Sequence, residues 1–198
     1  MQEIKLKDNH VLRIETCDYT ESPREDCNVT QMIFFGNHSH LGDKHDFSSD
    51  MANNWEELEE VIQKQTKAVH IEKIYGYSHS GLTISRSPFS CRWDSGVLGF
   101  CIITKEDIRN IFGGKKVTQK LIDKAIEQIE GEVKILDQYI SGEVYQFELV
   151  KINTCECCEE TSEEHIDSCG GFYGYDIEEN GMLEYIAEKF HAEILEAV

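Results

Sequence analysis

The stretch CECCEETSEEHIDSC, residues 155–169, gathers four cysteines, one histidine and six carboxylates, with no lysine or arginine. Two residues separate Cys155 from Cys158, six more precede His165, and another three precede Cys169. Three thiolates and an imidazole at this spacing approach a zinc knuckle, in which a short loop closes a tetrahedral site. The neighbouring glutamates disfavour the thiolate form, although they would attract a cation. The segment also lacks the basic and aromatic residues that knuckles use on nucleic acid. The competing reading is an exposed acidic loop whose cysteines are incidental. Beyond this one zinc ion, no cofactor is implied.

Two further groupings carry reactive types. His38 and His40, with His45, Asp43 and Asp46 nearby, would point the same way on an extended segment and could share a cation; a solvated polar loop is the commoner outcome. Tyr77-Ser78-His79-Ser80-Gly81 and Arg92-Trp93-Asp94-Ser95-Gly96 set Ser, His and Asp beside glycine at predicted strand ends, where catalytic groups tend to sit. A His79–Asp94 pair near Ser80 or Ser95 could be drawn as a hydrolase. With Asp137 and Tyr139 these residues make the candidate set for a metal-assisted hydrolase acting on a nucleotide or nucleic acid. No nucleophile elbow, P-loop or dinucleotide fingerprint accompanies them. Turns allowed by glycine and satisfied by Asp or Ser are the structural alternative.

Charge decides more than any motif. The chain of 198 residues carries 38 acidic and 19 basic residues, a net of −19. Direct contact with nucleic-acid phosphates needs a basic surface, so this balance argues against it, and an anionic membrane is an equally poor partner. A basic protein surface is a better one. The excess is densest in residues 155–198, where 13 acidic residues face one lysine, Lys189, while residues 105–124 are locally positive.

The elements that must position these groups follow from periodicity. Alternation on both sides of Asp8-Asn9 predicts an opening hairpin, and VTQMIFFGN predicts a buried strand. Asn54, with Glu57 three residues on, caps a helix whose stripe is Trp55, Leu58, Val61 and Ile62. Two strands break at His79-Ser80-Gly81, and VLGFCIIT ends at Thr104, which caps a helix with Asp107 and stops at Gly113-Gly114. A helix from about Thr118 to Glu130 follows. EVKILDQYISGEVYQFELVKI then predicts a hairpin at Ser141-Gly142, although Val133, Leu136 and Ile140 also suit a helix. A final helix after Asn180 would bury Leu183, Ile186, Ala187, Phe190 and Ile194, setting Glu184, Glu188, Glu193 and Glu196 on its polar side. The expectation is α+β, a mainly antiparallel sheet with about four helices packed against it. Residues 1–198 form a single domain in this reading, with an acidic C-terminal portion at 155–198.

Eight cysteines without an apolar signal core at the start predict reduced thiols and a bacterial host cytosol. No apolar run approaches the roughly 20 residues needed to span a membrane.

Four short motifs add a resemblance: Tyr77 with His79-Ser80-Gly81, Trp93-Asp94-Ser95-Gly96, Asp137-Gln138-Tyr139, and Ser168-Cys169-Gly170-Gly171-Phe172-Tyr173-Gly174. In these the chain resembles a family of uncharacterised small proteins encoded by bacteriophages and mobile elements. The resemblance implies a phage-like setting, where small acidic proteins block host defence enzymes by imitating nucleic acid; it brings no catalytic residues with it. The expected function is an inhibitor of a host nucleic-acid-processing defence complex, of the anti-CRISPR or antirestriction kind, occupying a channel lined by Lys and Arg. The residues expected to make that contact are Glu156, Glu159, Glu160, Glu163, Glu164, Asp167, Glu178, Glu179, Glu184 and Glu188.

Overall fold

Asp8 and Asn9 take φ of 56° and 59°, a left-handed pair that short Asx side chains tolerate. His10 N–H closes the turn on the Lys7 carbonyl at 3.2 Å, joining β1 (Gln2–Leu6) to β2 (His10–Thr16). In this computed structural model, which describes residues 1–197, the chain is α+β with two four-stranded antiparallel sheets. Backbone contacts divide it into two compact units, Ser22–Ser141 and Met1–Glu21 with Gly142–Val198.

The Ser22–Ser141 unit holds β3 (Gln31–Phe34), α1 (Trp55–Thr66), β4 (His70–Ser78), β5 (Leu82–Ser85), β6 (Ser95–Ile103), α2 (Lys105–Phe112) and α3 (Gln119–Ile140). Its sheet runs β3-β6-β4-β5. Alternation sends Ile33, Phe100 and Ile102 to a cluster with Leu58 and Ile62 of α1. Met32, Phe34, Cys101 and Ile103 join one with Ile108 of α2 and Ala125, Ile129, Val133 and Leu136 of α3. Strand β6 is therefore buried on both faces, and at Gly99 a Cβ would lie 2.0 Å from the Ile33 carbonyl oxygen, so only glycine fits there.

The predicted caps are present. The Asn54 side chain accepts from Glu57 N–H, and Thr104 and Asp107 form a reciprocal capping box. The hairpin predicted at Ser141-Gly142 is absent. Val133 and Leu136 continue the helical stripe, α3 runs on to Ile140, and Gly142 at φ 72° releases the chain. The predicted extended run at His38 and His40 is a 3-10 helix, Gly36–Leu41. At about three residues per turn, side chains two apart diverge, so these two histidines do not share a cation. His45 is instead fixed by the Phe34 carbonyl at 2.8 Å and Phe47 N–H at 3.2 Å.

In the other unit β7 (Val144–Thr154) and β8 (Thr161–Tyr173) complete a sheet ordered β1-β2-β7-β8. Ile4, Leu6, Leu12, Ile14, Phe147, Leu149 and Phe172 face Ile177, Met182, Ile186, Phe190 and Ile194. The continuous C-terminal helix is not formed. Gly181 at φ 79° opens a 3-10 turn at Met182–Tyr185, a second covers Glu188–Phe190, and only His191–Leu195 (α4) is α-helical. A four-residue apolar spacing can be buried by separate turns as well as by one helix. Like charges at Glu184 and Glu188 also weigh against a continuous one.

Candidate functional site

The acidic stretch builds a β-hairpin, where the sequence predicted a loop. Strand β7 lies between β2 and β8, and β2 reaches along it only from Tyr145 to Lys151. Among the described residues, Ile152–Thr154 therefore have only β8 as a strand neighbour, with Ile152 N–H donating to the Asn9 carbonyl at 2.8 Å. Pairing starts at Val144↔Tyr173 and ends at Thr154↔Thr161. Ile166 and Gly171 are skipped in the register; Gly171, at φ 87°, supplies the second bulge. As the edge strand, β8 exposes every residue from Thr161 to Ser168.

The charge is segregated between the units. Met1–Glu21 with Gly142–Val198 carries 20 acidic and 5 basic residues, a net of −15, whereas Ser22–Ser141 carries 18 and 14, a net of −4. Within the acidic unit the ten expected contact residues fall in different settings. Glu163 is held by Arg13 of β2, whose Nη1 donates at 2.8 Å and whose Nη2 also reaches it. That hydrogen bond lowers the Glu163 pKa and raises the Arg13 pKa. Glu164 accepts from the Asn153 amide at 3.0 Å, and one Asp167 oxygen accepts from Ser168 N–H. Glu160 receives the Cys158 thiol at 3.7 Å. Glu156, Glu159, Glu178, Glu184 and Glu188 make no ion pair among the described residues, and Glu179 N–H, like that of Glu178, donates to Asp176.

The zinc set of Cys155, Cys158, His165 and Cys169 does not assemble. His165 lies opposite Val150 and Cys169 opposite Phe147, while Cys155 follows Thr154 at the tip. At about 3.4 Å per residue, Cys169 is roughly 25 Å of strand away from Cys155. His165 bonds the Ser168 hydroxyl at 3.2 Å instead. What converges is Cys155, Cys157 and Cys158, whose sulfurs all lie within 4.8 Å of one another. The set expected from the sequence omits Cys157, although the CxCC spacing is legible there. Its thiol, 2.9 Å from Cys155 Sγ, is the main cause that draws the Cys155 pKa down to about 6, and the same hydrogen bond raises its own.

The two Gly-flanked turns meet. His79 Nδ1 lies 3.4 Å from Asp94 Oδ2, and Ser78 N–H donates to the Asp94 carbonyl at 2.8 Å. The His79 side chain is 72% exposed and stacks on Tyr77, so no wall shields the pair from water. The serines serve the turns: Ser80 takes φ 86°, and Ser95 Oγ donates to the Cys91 carbonyl. Asp137 and Tyr139 sit on α3. Asp137 accepts from Ile84 N–H of β5 at 2.7 Å, and Tyr139 is half-buried against the core. Of the four catalytic candidates, the contacts join His79 with Asp94 and give Asp137 a structural role.

The sequence reading also missed the best-enclosed ionic network. Arg24, 5% exposed, bonds Asp43 at 2.6 Å, Glu132 at 3.2 Å and the Thr30 carbonyl at 2.7 Å. It binds the loop before β3 to α3 and accounts for Asp43, which was expected near a cation site. Among the described residues no helix is long and apolar enough to cross a membrane. No protein-family model, curated protein or solved structure matches the chain.

Proposed function

We propose that this protein is an acidic inhibitor of a host nucleic-acid-processing defence complex, of the anti-CRISPR or antirestriction kind, and that its β7–β8 hairpin enters a basic nucleic-acid channel. The observation that carries this reading is the charge segregation: one compact unit holds −15 of the net −19. Such an imbalance costs self-repulsion and suits a cationic partner.

The hairpin presents that charge on narrow, extended backbone. Glu163, Glu164 and Asp167 follow one another on the exposed edge strand, and Glu156, Glu159 and Glu160 stand at its tip. With Glu163 held by Arg13, Glu164 and Asp167 are the charges on this strand without an ion pair among the described residues. They lie about 10 Å apart along the strand, against about one charge per 3.4 Å of a DNA strand, so the tip glutamates must supply the rest. The C-terminal residues Glu184 and Glu188, on separate 3-10 turns, add to the field of the unit without forming the row that one helix would give. Channels of this kind hold nucleic acid through its backbone, so carboxylates can compete without any base. A phage-like setting and the bacterial cytosol belong to this proposal.

The test is displacement of labelled DNA or RNA from a CRISPR effector or restriction complex by the intact protein. Displacement that weakens steeply with added salt is the expected result. Equal displacement by a protein with glutamine at positions 156, 159, 160 and 164 would reject the proposal.

A further inference from the structure

We infer that the tip of the β7–β8 hairpin is a zinc site made by Cys155, Cys157 and Cys158, with a fourth position open to water or to a nearby carboxylate. This goes beyond the inhibitor reading and does not depend on it.

The tip backbone is closed on itself. Cys155 N–H donates to the Glu160 carbonyl at 2.8 Å, and Glu159 N–H donates back to the Cys155 carbonyl at 3.0 Å. Glu159 reverses the chain in the left-handed region at φ 58°. Residues 155–160 therefore form one compact turn between the paired ends Thr154 and Thr161. That turn gathers three thiols whose sulfurs are all within 4.8 Å, with Cys155 and Cys157 at 2.9 Å.

A tetrahedral ion with Zn–S bonds of about 2.3 Å needs sulfurs about 3.8 Å apart. The side chains are exposed, so rotations of about an ångström at the sulfurs reach that triangle without moving the strands. The surroundings select among thiophilic metals. Glu156 and Glu159 lie in the same turn, and Glu160 Oε2 is 3.7 Å from Cys158 Sγ. Hard oxygen donors and local negative charge favour a dication over Cu⁺. On binding, each of the three thiols gives up its proton to solvent and its electron pair to the ion. His165 and Cys169, out along β8, take no part.

The experiment uses the fully reduced, full-length protein, titrated with Zn²⁺ against a chromophoric chelator, and with Co²⁺ as an optical probe. One equivalent is expected, with a thiolate-to-Co²⁺ band in the near ultraviolet and intense visible bands of a tetrahedral site. Cys157→Ser should weaken binding by about 10-fold or more, while Cys169→Ser and His165→Gln leave it unchanged. Because the tip is exposed, circular dichroism of each variant without metal should match the parent. Absence of stoichiometric binding overturns the inference. So does an equal loss in Cys169→Ser, or binding of Cu⁺ with none of Zn²⁺. Conversion of Cys155 and Cys157 to a disulfide in the presence of excess Zn²⁺ would also overturn it, since the metal should protect them.

Discussion

Arg13 reaches from β2 over β7 to Glu163 on β8, and the same guanidinium takes Glu3 of β1 at 3.4 Å and Glu148 of β7 at 3.3 Å. One cation thus joins carboxylates from the other three strands of the sheet. Removing it leaves three like charges close together on one face. Arg13→Gln is expected to raise amide exchange along residues 161–168 roughly two- to fivefold, the scale of exposed ion pairs. Unchanged exchange would mean that backbone pairing alone orders the edge strand.

The same pair sorts the acidic residues by role. Glu163 is occupied within the protein, whereas Glu156 and Glu159 make no ion pair among the described residues. Glu163→Gln should therefore lower hairpin order while changing partner binding little. Glu156→Gln with Glu159→Gln should do the reverse, and should flatten the fall of affinity with salt. Binding isotherms at several ionic strengths separate the two outcomes.

Asp137 tests the catalytic alternative. Its carboxylate accepts from Ile84 N–H at 2.7 Å, and Ile84 is 4% exposed. Asp137→Ala would leave that buried donor without this acceptor and should cost about 1–3 kcal/mol. Asp137→Asn keeps an acceptor oxygen and should recover most of the loss. Denaturant midpoints of the two variants supply the comparison; equal loss in both would point to a need for the charge itself.

Glu72 sets an acid limb. Burial works against its charge, but hydrogen bonds from His70 and Arg86 outweigh it and draw the carboxyl from 4.5 down to about 2. The folded carboxyl thus holds its proton less tightly than the unfolded one. Its contribution is complete above about pH 4.5 and is lost as pH falls toward about 2. Glu72→Gln should shallow the loss of stability across that window. Thermal unfolding from pH 2 to 6 is the measurement.

Local chemistry made several elements legible. The left-handed Asx turn at Asp8-Asn9, the N-cap at Asn54, the capping box at Thr104, and the apolar stripe of α1 each depend on residues within a few positions. The overlooked strand β8 has the opposite origin. Thr161–Ser168 shows no buried alternation, because all of it is exposed. Its strand state comes from pairing with β7, and charges along a solvent edge also hinder edge-to-edge association. The C-terminal segment misled for a related reason: its spacing named Ile186, Phe190 and Ile194, which are buried, but also Ala187, which is exposed, and it gave the wrong backbone path.

From its amino acids alone, the chain determined its acidity, its α+β class, most caps and most of the core positions, since these rest on composition and on short-range periodicity. Tertiary structure decided which cysteines meet, which glutamate is neutralised, and that one of two units holds most of the charge. Those outcomes depend on strand register and on partners such as Arg13 and Glu163, 150 positions apart. No spacing along a linear sequence encodes a distance set by two strands lying on either side of a third.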